Sequence, residues 1–212
     1  NLIFYDLCCR GLVDVCQYLH QLGAVLDELD SCGLTALHHG CLNNQIELVE
    51  WLLSEGLSPL QETRSGLTCI HVCAGSGNIG MMDVLLRTDP NVKINPNINC
   101  VDREGNPPIF EAVREDKMDM VRHLIKKGCE LQMKNEKNQS ILHMGVLLGK
   151  SKSLKTLVSL LKQSNNPIGL EEEDKFGSTP FLYSCKVGKV SIMEYLLEEG
   201  CNIFHRGDEE DR

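Results

Sequence analysis

The alternation of polar and apolar positions along the chain is periodic. Five stretches line up: Thr35-Ala-Leu-His-His-Gly40, Thr68-Cys-Ile-His-Val-Cys73, Pro107-Pro-Ile-Phe-Glu-Ala112, Ser140-Ile-Leu-His-Met-Gly145 and Thr179-Pro-Phe-Leu-Tyr-Ser184. Their starts lie 33, 39, 33 and 39 residues apart. Leu2-Ile-Phe-Tyr-Asp-Leu7, 33 residues before Thr35, keeps the apolar positions and lacks the polar cap. A second apolar block follows each start: Val15 to Leu19, Leu48 to Leu53, Met81 to Leu86, Met120 to Ile125, Leu154 to Leu161 and Ile192 to Leu197. Each unit therefore predicts two short helices. Thr35, Thr68, Ser140 and Thr179 supply the side-chain oxygen that caps the free N–H groups of a helix start, and a proline follows the last of them. Gly11, Gly77, Gly149 and Gly188 end the first helix and turn the chain. Gly23, Gly56, Gly128 and Gly200 follow the second block. That block repeats its apolar residues every three or four positions, which gives one buried stripe. Neither helix can bury its stripe alone, so the units must stack, with Leu52 and Leu53 expected between them.

The period near 33, starts of the Thr-Pro-Leu-His-x-Ala type and ends of the Ile-Val-x-x-Leu-Leu-x-x-Gly type resemble the ankyrin repeat. Glu47-Leu-Val-Glu-Trp-Leu-Leu-Ser-Glu-Gly56 and Val190-Ser-Ile-Met-Glu-Tyr-Leu-Leu-Glu-Glu-Gly200 are close matches. The resemblance implies an all-α ankyrin-repeat solenoid of about six stacked helix-turn-helix units with projecting hairpin-like fingers. It implies one domain over 1–212, with units near 1–29, 30–62, 63–101, 102–134, 135–173 and 174–206. Fingers and first helices are expected to line a concave face. The segment is expected to belong to a longer chain: Leu2 begins inside a first helix, residues 201–212 resemble a loop leading to another unit, and neither end carries the polar face of a terminal cap. The third and fifth units run about six residues over the norm. The excess is expected as loop at 88–101 and 162–173, both rich in Asn, Pro or acid. The family's histidine slot holds Phe110 in the fourth unit and Leu182 in the sixth, where its polar bonding is lost. Asn99 alone sits where some ankyrin proteins carry a hydroxylated Asn, and an unmodified loop residue is the plainer reading.

Composition narrows the function. Aromatic residues make up 5% of the chain, so the core is expected to be aliphatic. Thirty acidic residues against 21 basic give a net charge of −9, which disfavours nucleic acid and anionic membranes as partners. No apolar run reaches the roughly 18 residues that a membrane helix needs, so no membrane insertion is expected. Eleven cysteines fall at many spacings, several inside apolar helical patterns, which suits reduced, buried thiols in a cytoplasmic or nuclear setting. Cys69, His71, Cys73 and Cys41 could suggest zinc, but His71 sits elsewhere on its helix and Cys73 occupies a narrow packing slot. Adjacent Cys8 and Cys9 point apart on a helix and are expected to pack. His38, His71 and His143 recur in the family's structural slot, so no catalytic, cofactor or metal site is expected. Ala74-Gly-Ser-Gly77 lacks the Lys and the length of a phosphate loop. Trp51, Tyr18 and Tyr195 occupy matching helical positions and are expected to pack.

What remains is protein binding. The expected activity is a non-catalytic scaffold that takes a partner on its concave face and fingers. The alternative is a regulatory or targeting segment of a larger enzyme, ubiquitin-ligase adaptor or channel. Register places Leu34, Leu67, Asn106, Gln139 and Ser178 at the finger position before each start. It places Arg103, Lys175 and Phe176 at finger tips, and Leu42, Arg114, Leu147, Leu148 and Lys186 on first helices. Leu34, Leu67, Leu147, Leu148 and Phe176 are apolar where solvated repeats carry polar groups, as a partner-facing patch or a finger–finger contact would require. Glu171, Glu172 and Glu173, continued by Asp174, form a compact negative run suited to steering a partner with a basic segment.

Overall fold

Each polar start of the repeat becomes a helix N-terminus in the computed structural model, which describes residues 2–87, 97–164 and 169–203. Among these residues there are twelve helices and no strand. The chain divides into two compact units, Asn1–Arg103 and Glu104–Arg212. The first holds α1 (Leu2–Arg10), α2 (Val13–Gln21), α3 (Ala36–Leu42), α4 (Ile46–Ser54), α5 (Cys69–Ser76) and α6 (Ile79–Leu85). The second holds α7 (Pro108–Arg114), α8 (Met118–Lys126), α9 (Ile141–Leu147), α10 (Ser151–Gln163), α11 (Pro180–Val187) and α12 (Val190–Glu198). In both units the odd-numbered helices pack side by side in one layer and the even-numbered ones in another. Thus α3 lies between α1 and α5, and α9 between α7 and α11.

The caps form as the side chains require, and histidine completes three of them. Thr35 Oγ1 accepts the His38 N–H at 3.3 Å, while the Thr35 N–H donates back to His38 Nδ1 at 3.3 Å. Thr68 with His71, and Ser140 with His143, repeat this reciprocal pattern. Because Nδ1 accepts, the ring proton sits on Nε2, which reaches the next repeat. His38 Nε2 donates to the Leu67 carbonyl at 3.3 Å and His143 Nε2 to the Ser178 carbonyl at 3.0 Å. Pro107 has no side-chain oxygen, and Phe110, 1% exposed, fills its histidine slot with hydrocarbon. First helices end in left-handed turns at Gly11, Gly77, Gly149 and Gly188, with Asn44 and Asp116 doing the same in the other two repeats.

The core is chiefly aliphatic: Leu48, Leu52, Met81, Met82, Leu124, Leu142 and Leu154 are each at most 1% exposed. Paired helices approach closely. A Cβ built on Gly145 would come within 2.6 Å of the Leu157 side chain. Two expectations need correction. Leu53 is half-buried rather than enclosed like Leu52, because it sits about 100° around the helix from it. The fifth repeat does not place all its extra length in loop. Its second helix runs 13 residues against seven to nine in the others, through Gln163, because the apolar stripe continues to Leu160 and Leu161. Within the two enlarged loops, residues 88–96 and 165–168 lie outside the described residues.

Leu52→Ala should cost about 2–5 kcal/mol in urea unfolding, and Leu53→Ala clearly less. A second outcome concerns pH. Burial disfavours the imidazolium at His38 and His143, and the bond each makes to a carbonyl only partly offsets it, so both are held below the ordinary range. The unfolded chain therefore takes up protons first, below about pH 6.5. The associated stability is complete above that pH and falls as pH drops beneath it. Thermal melts at pH 7.5 and 5.5 should show the loss. A His38→Gln, His143→Gln double variant, weaker at pH 7.5, should show a shallower one.

Candidate functional site

Four fingers are tight turns, each organised by one side-chain acceptor five residues before the repeat start. Asp30 Oδ1 accepts the N–H groups of Cys32 and Leu34, both at 2.8 Å. Thr63 Oγ1 accepts from the Leu67 N–H at 3.1 Å, and Asn135 Oδ1 from Lys137 and Gln139 at 3.0 and 2.9 Å. Asp174 Oδ1 accepts from Phe176 and Ser178, both at 2.8 Å. Backbone bonds between the same end residues close the turn, as in Asp30 N–H to the Leu34 carbonyl at 2.8 Å. In the second unit successive fingers are also tied tip to tip. The Glu136 N–H donates to the Glu104 carbonyl at 2.8 Å and the Lys175 N–H to the Lys137 carbonyl at 2.9 Å. This contact explains Gly105, which has φ +76° and whose hypothetical Cβ would lie 2.9 Å from the Glu136 nitrogen.

Beneath these tips a buried polar chain joins three repeats of the second unit. Asn135 donates to Asn106 Oδ1 at 2.9 Å and to Gln139 Oε1 at 2.8 Å. The Gln139 amide donates to Tyr183 Oη at 2.6 Å, and Tyr183 donates to Asp174 Oδ2 at 2.7 Å. Every donor in this chain has an acceptor, so the network stiffens the fingers without an orphaned polar group.

The comparisons with known proteins agree with this architecture. A profile described as "Ankyrin repeats (3 copies)" matches residues 4–97, and one described as "Ankyrin repeat" matches 176–208. The chain belongs to the ankyrin-repeat family. Transient receptor potential cation channel subfamily A member 1 of Homo sapiens is 24% identical over 181 residues, covering 84% of this chain and 16% of the channel. SH3 and multiple ankyrin repeat domains protein 2 of Homo sapiens is 27% identical over 186 residues, covering 87% of this chain and 9% of that protein. The chain thus spans less than a fifth of either relative. The crystal structure of an ankyrin repeat domain from Acinetobacter baumannii AYE matches with a TM-score of 0.73 at 18% identity, over 94% of this chain and 98% of that one. The fold is the all-α ankyrin-repeat solenoid. Ankyrin repeats generally mediate protein–protein interaction and are typically non-catalytic.

On these ankyrin fingers and helices the candidate residues separate. In the first unit Leu34 and Leu67 are half-buried, Leu42 is 50% exposed and Arg103 is exposed. In the second unit Phe176 is 82% exposed at its tip, Leu147 44%, and Leu148 is half-buried. Arg114 is exposed beside Glu111 and Glu115. Lys186 lies 5.0 Å over the Tyr183 ring and donates to Ser178 Oγ at 3.2 Å. Leu42, Arg114, Leu147 and Lys186 occupy one slot, seven residues after each start, so in the second unit they form a row along neighbouring helices. Asn106, Gln139 and Ser178 are no part of an exposed surface; at 5, 9 and 7% exposure they hold the fingers together. The acidic run is also partly consumed. Glu172 pairs with Lys134 at 3.6 Å, Glu171 accepts from the Asn202 N–H at 2.7 Å, Glu173 is half-buried, and Asp174 is buried.

The cysteines sort by environment. All eleven are free. Cys41, Cys69 and Cys73 are buried together. Hydrogen bonding among these thiols, then burial, pushes Cys41 and Cys73 up, away from the thiolate form that zinc takes. Among the described residues no group of three or more His, Cys, Asp or Glu is arranged to hold a metal ion. Trp51 and Tyr195 are half-buried as packing predicts, while Tyr18 is 60% exposed. None of the described helices is long and apolar enough to cross a membrane.

Burial alone would push the Asp174 carboxyl up, but the bonds from Tyr183, Ser178 and Phe176 outweigh it and hold it below the usual carboxylate range. Its stabilisation is therefore present above about pH 3.9 and is lost as pH falls through the lower folded value. Tyr183→Phe should cost about 1–3 kcal/mol in urea at pH 7. The gap in melting temperature between wild type and Asp174→Asn should be largest at neutral pH and narrow below pH 4.

Proposed function

We propose that this ankyrin segment is a non-catalytic scaffold that binds a partner protein through its finger tips and the exposed sides of its first helices. Phe176 carries the reading. A phenyl ring 82% exposed costs solvation, yet its finger is held by Asp174 and by a backbone bond to Lys137. An aromatic group on a pre-ordered loop loses little entropy on binding, which is the character of an interface anchor. Leu147, Arg114 and Lys186 lie on first helices of the same unit, with Leu148 at the end of α9, and Leu42, Leu34, Leu67 and Arg103 extend the reading to the first. In this proposal the six helix pairs act as one domain. Glu171, Glu172 and Glu173 give the preferred partner a basic segment. Free thiols suit cytoplasmic or nuclear placement.

A second reading makes the segment a regulatory or targeting part of a larger enzyme, ubiquitin-ligase adaptor or channel. It is favoured by the share of each relative that the match covers, 16% of a cation channel and 9% of a multidomain protein. Both readings use the same surface.

Affinity capture with mass spectrometry, comparing wild type with Phe176→Ser plus Leu147→Ser, should show specific partners lost from a variant that keeps its melting temperature. An unchanged set of partners would exclude this face. Against a captured partner, changing Glu171, Glu172 and Glu173 to Ser should lower the association rate and flatten its salt dependence. Asp174 is left in place because it holds the turn.

A further inference from the structure

Three side chains from three separate segments of the first unit meet at one notch. Cys9 comes from the end of α1, His39 from α3, and Asp30 from the finger that precedes α3. Cys9 Sγ lies 3.3 Å from His39 Nδ1, and His39 Nε2 lies 2.8 Å from Asp30 Oδ2. The other oxygen of Asp30 is held by the Cys32 and Leu34 N–H groups, so the carboxylate has a fixed orientation. The Tyr5 ring packs against the imidazole with centroids 5.4 Å apart. Since Asp30 accepts, the ring proton is on Nε2 and Nδ1 turns its lone pair to the thiol, which donates to it. The three groups line a notch of about 540 Å³, together with Ile3, Tyr5, Asp6 and Cys32.

One other thiol meets an imidazole, Cys100 Sγ at 3.8 Å from His71 Nδ1, but Thr68 already engages that nitrogen through its N–H and hydroxyl. The neighbouring Cys8 turns inward, fully buried, with its sulfur 3.9 Å from that of Cys16. The two vicinal cysteines point apart as expected, and Cys9, half-buried, opens on the notch. Burial first, then the Asp6 carboxylate, pushes the Cys9 thiol up, so little thiolate exists before reaction. A nucleophile in that state depends on a base that removes its proton during attack. His39 stands at hydrogen-bond distance for that task, oriented by Asp30.

We propose that Cys9 is a covalent modification site for small, uncharged carbon electrophiles of the activated-alkene class, with His39 as its base and Asp30 positioning the imidazole. The sulfur forms a bond to the β-carbon as the π pair of the alkene moves onto the conjugated carbonyl oxygen. The S–H proton passes to His39 Nδ1 and then to the α-carbon. Nothing leaves, and no oxidant or reductant is consumed. Charge sets the selectivity. Asp30 disfavours anionic reagents, anionic disulfides included, and Asp6 adds to this although Arg10 pairs with it at 3.6 Å, while Ile3 and Tyr5 offer apolar contact to an uncharged one. Cys9 occupies in α1 the slot that Leu42 holds in α3, so an adduct projects from the face proposed to take the partner.

The test is a time course with N-ethylmaleimide on the intact protein, read site by site by peptide-mapped mass spectrometry. Cys9 should be alkylated about tenfold faster, or more, than Cys129 and Cys201, which are half-buried and pushed up by burial. His39→Gln should remove that advantage while the rate at exposed Cys185 stays unchanged and the variant still shows a cooperative melt. If His39→Gln loses its melt, Asp30→Asn keeps the oxygen that organises the turn and should slow Cys9 severalfold. Asp6→Asn should speed reaction with the dianionic 5,5′-dithiobis(2-nitrobenzoate) without moving the maleimide rate, a split that a purely structural role for Asp6 would not produce. Equal rates at Cys9, Cys129 and Cys201, or an unchanged Cys9 rate in a folded His39→Gln or Asp30→Asn variant, would overturn the proposal.

Discussion

Helices of seven to nine residues are too short to be stable in water, and eleven of the twelve described here are of that length. Each must gain its stability from the neighbour on which it stacks, and the rest of the structure depends on that requirement. It demands an apolar stripe on every helix, hence Leu48, Leu52, Met81, Leu124 and Leu142 at close to zero exposure. It demands close approach, hence glycine at position 145 against Leu157. It also demands that helix ends brought into the stack keep their hydrogen bonds. The histidine device meets the last need, because one ring nitrogen completes the cap of its own helix and the other bonds the next repeat.

The stack leaves the fingers as the variable element, and the protein spends polar chemistry on holding them still. In four fingers the acceptor before the start organises the turn, and in two of them a first-helix side chain reaches back to it. His39 donates to Asp30, and Tyr183 donates to Asp174. Both donors sit four residues after their start and both acceptors five before it. The same slots therefore carry different consequences. In the last repeat they end a buried relay beneath an exposed phenyl ring. In the second repeat they orient an imidazole toward a thiol supplied by the first. A common geometry filled with different residues gives a rigid surface whose chemistry changes from repeat to repeat.

The period, the caps, the left-handed turns and the requirement to stack were legible in the sequence because each arises from residues a few positions apart. Thr35 and His38 are three residues from each other, and the apolar spacing of α4 lies within one element. Family membership follows from the same local signals. Tertiary structure alone decided which finger residues face solvent. Asn106 and Gln139 hold the same register as Leu34 and Leu67, but three repeats must be in place before their side chains close into a buried network. Buried Ser178 instead bonds Asp174 through its N–H and Lys186 through its hydroxyl. It also decided that α10 continues through Gln163, where burial of Leu160 and Leu161 keeps the chain helical beyond the usual length. The notch lay furthest from view. Cys9, Asp30 and His39 come from a helix end, a finger and the next helix, and no spacing rule joins a thiol to an imidazole 30 residues away. Only stacking α1 on α3, with the Asp30 finger folded beside them, sets the three within hydrogen-bond reach.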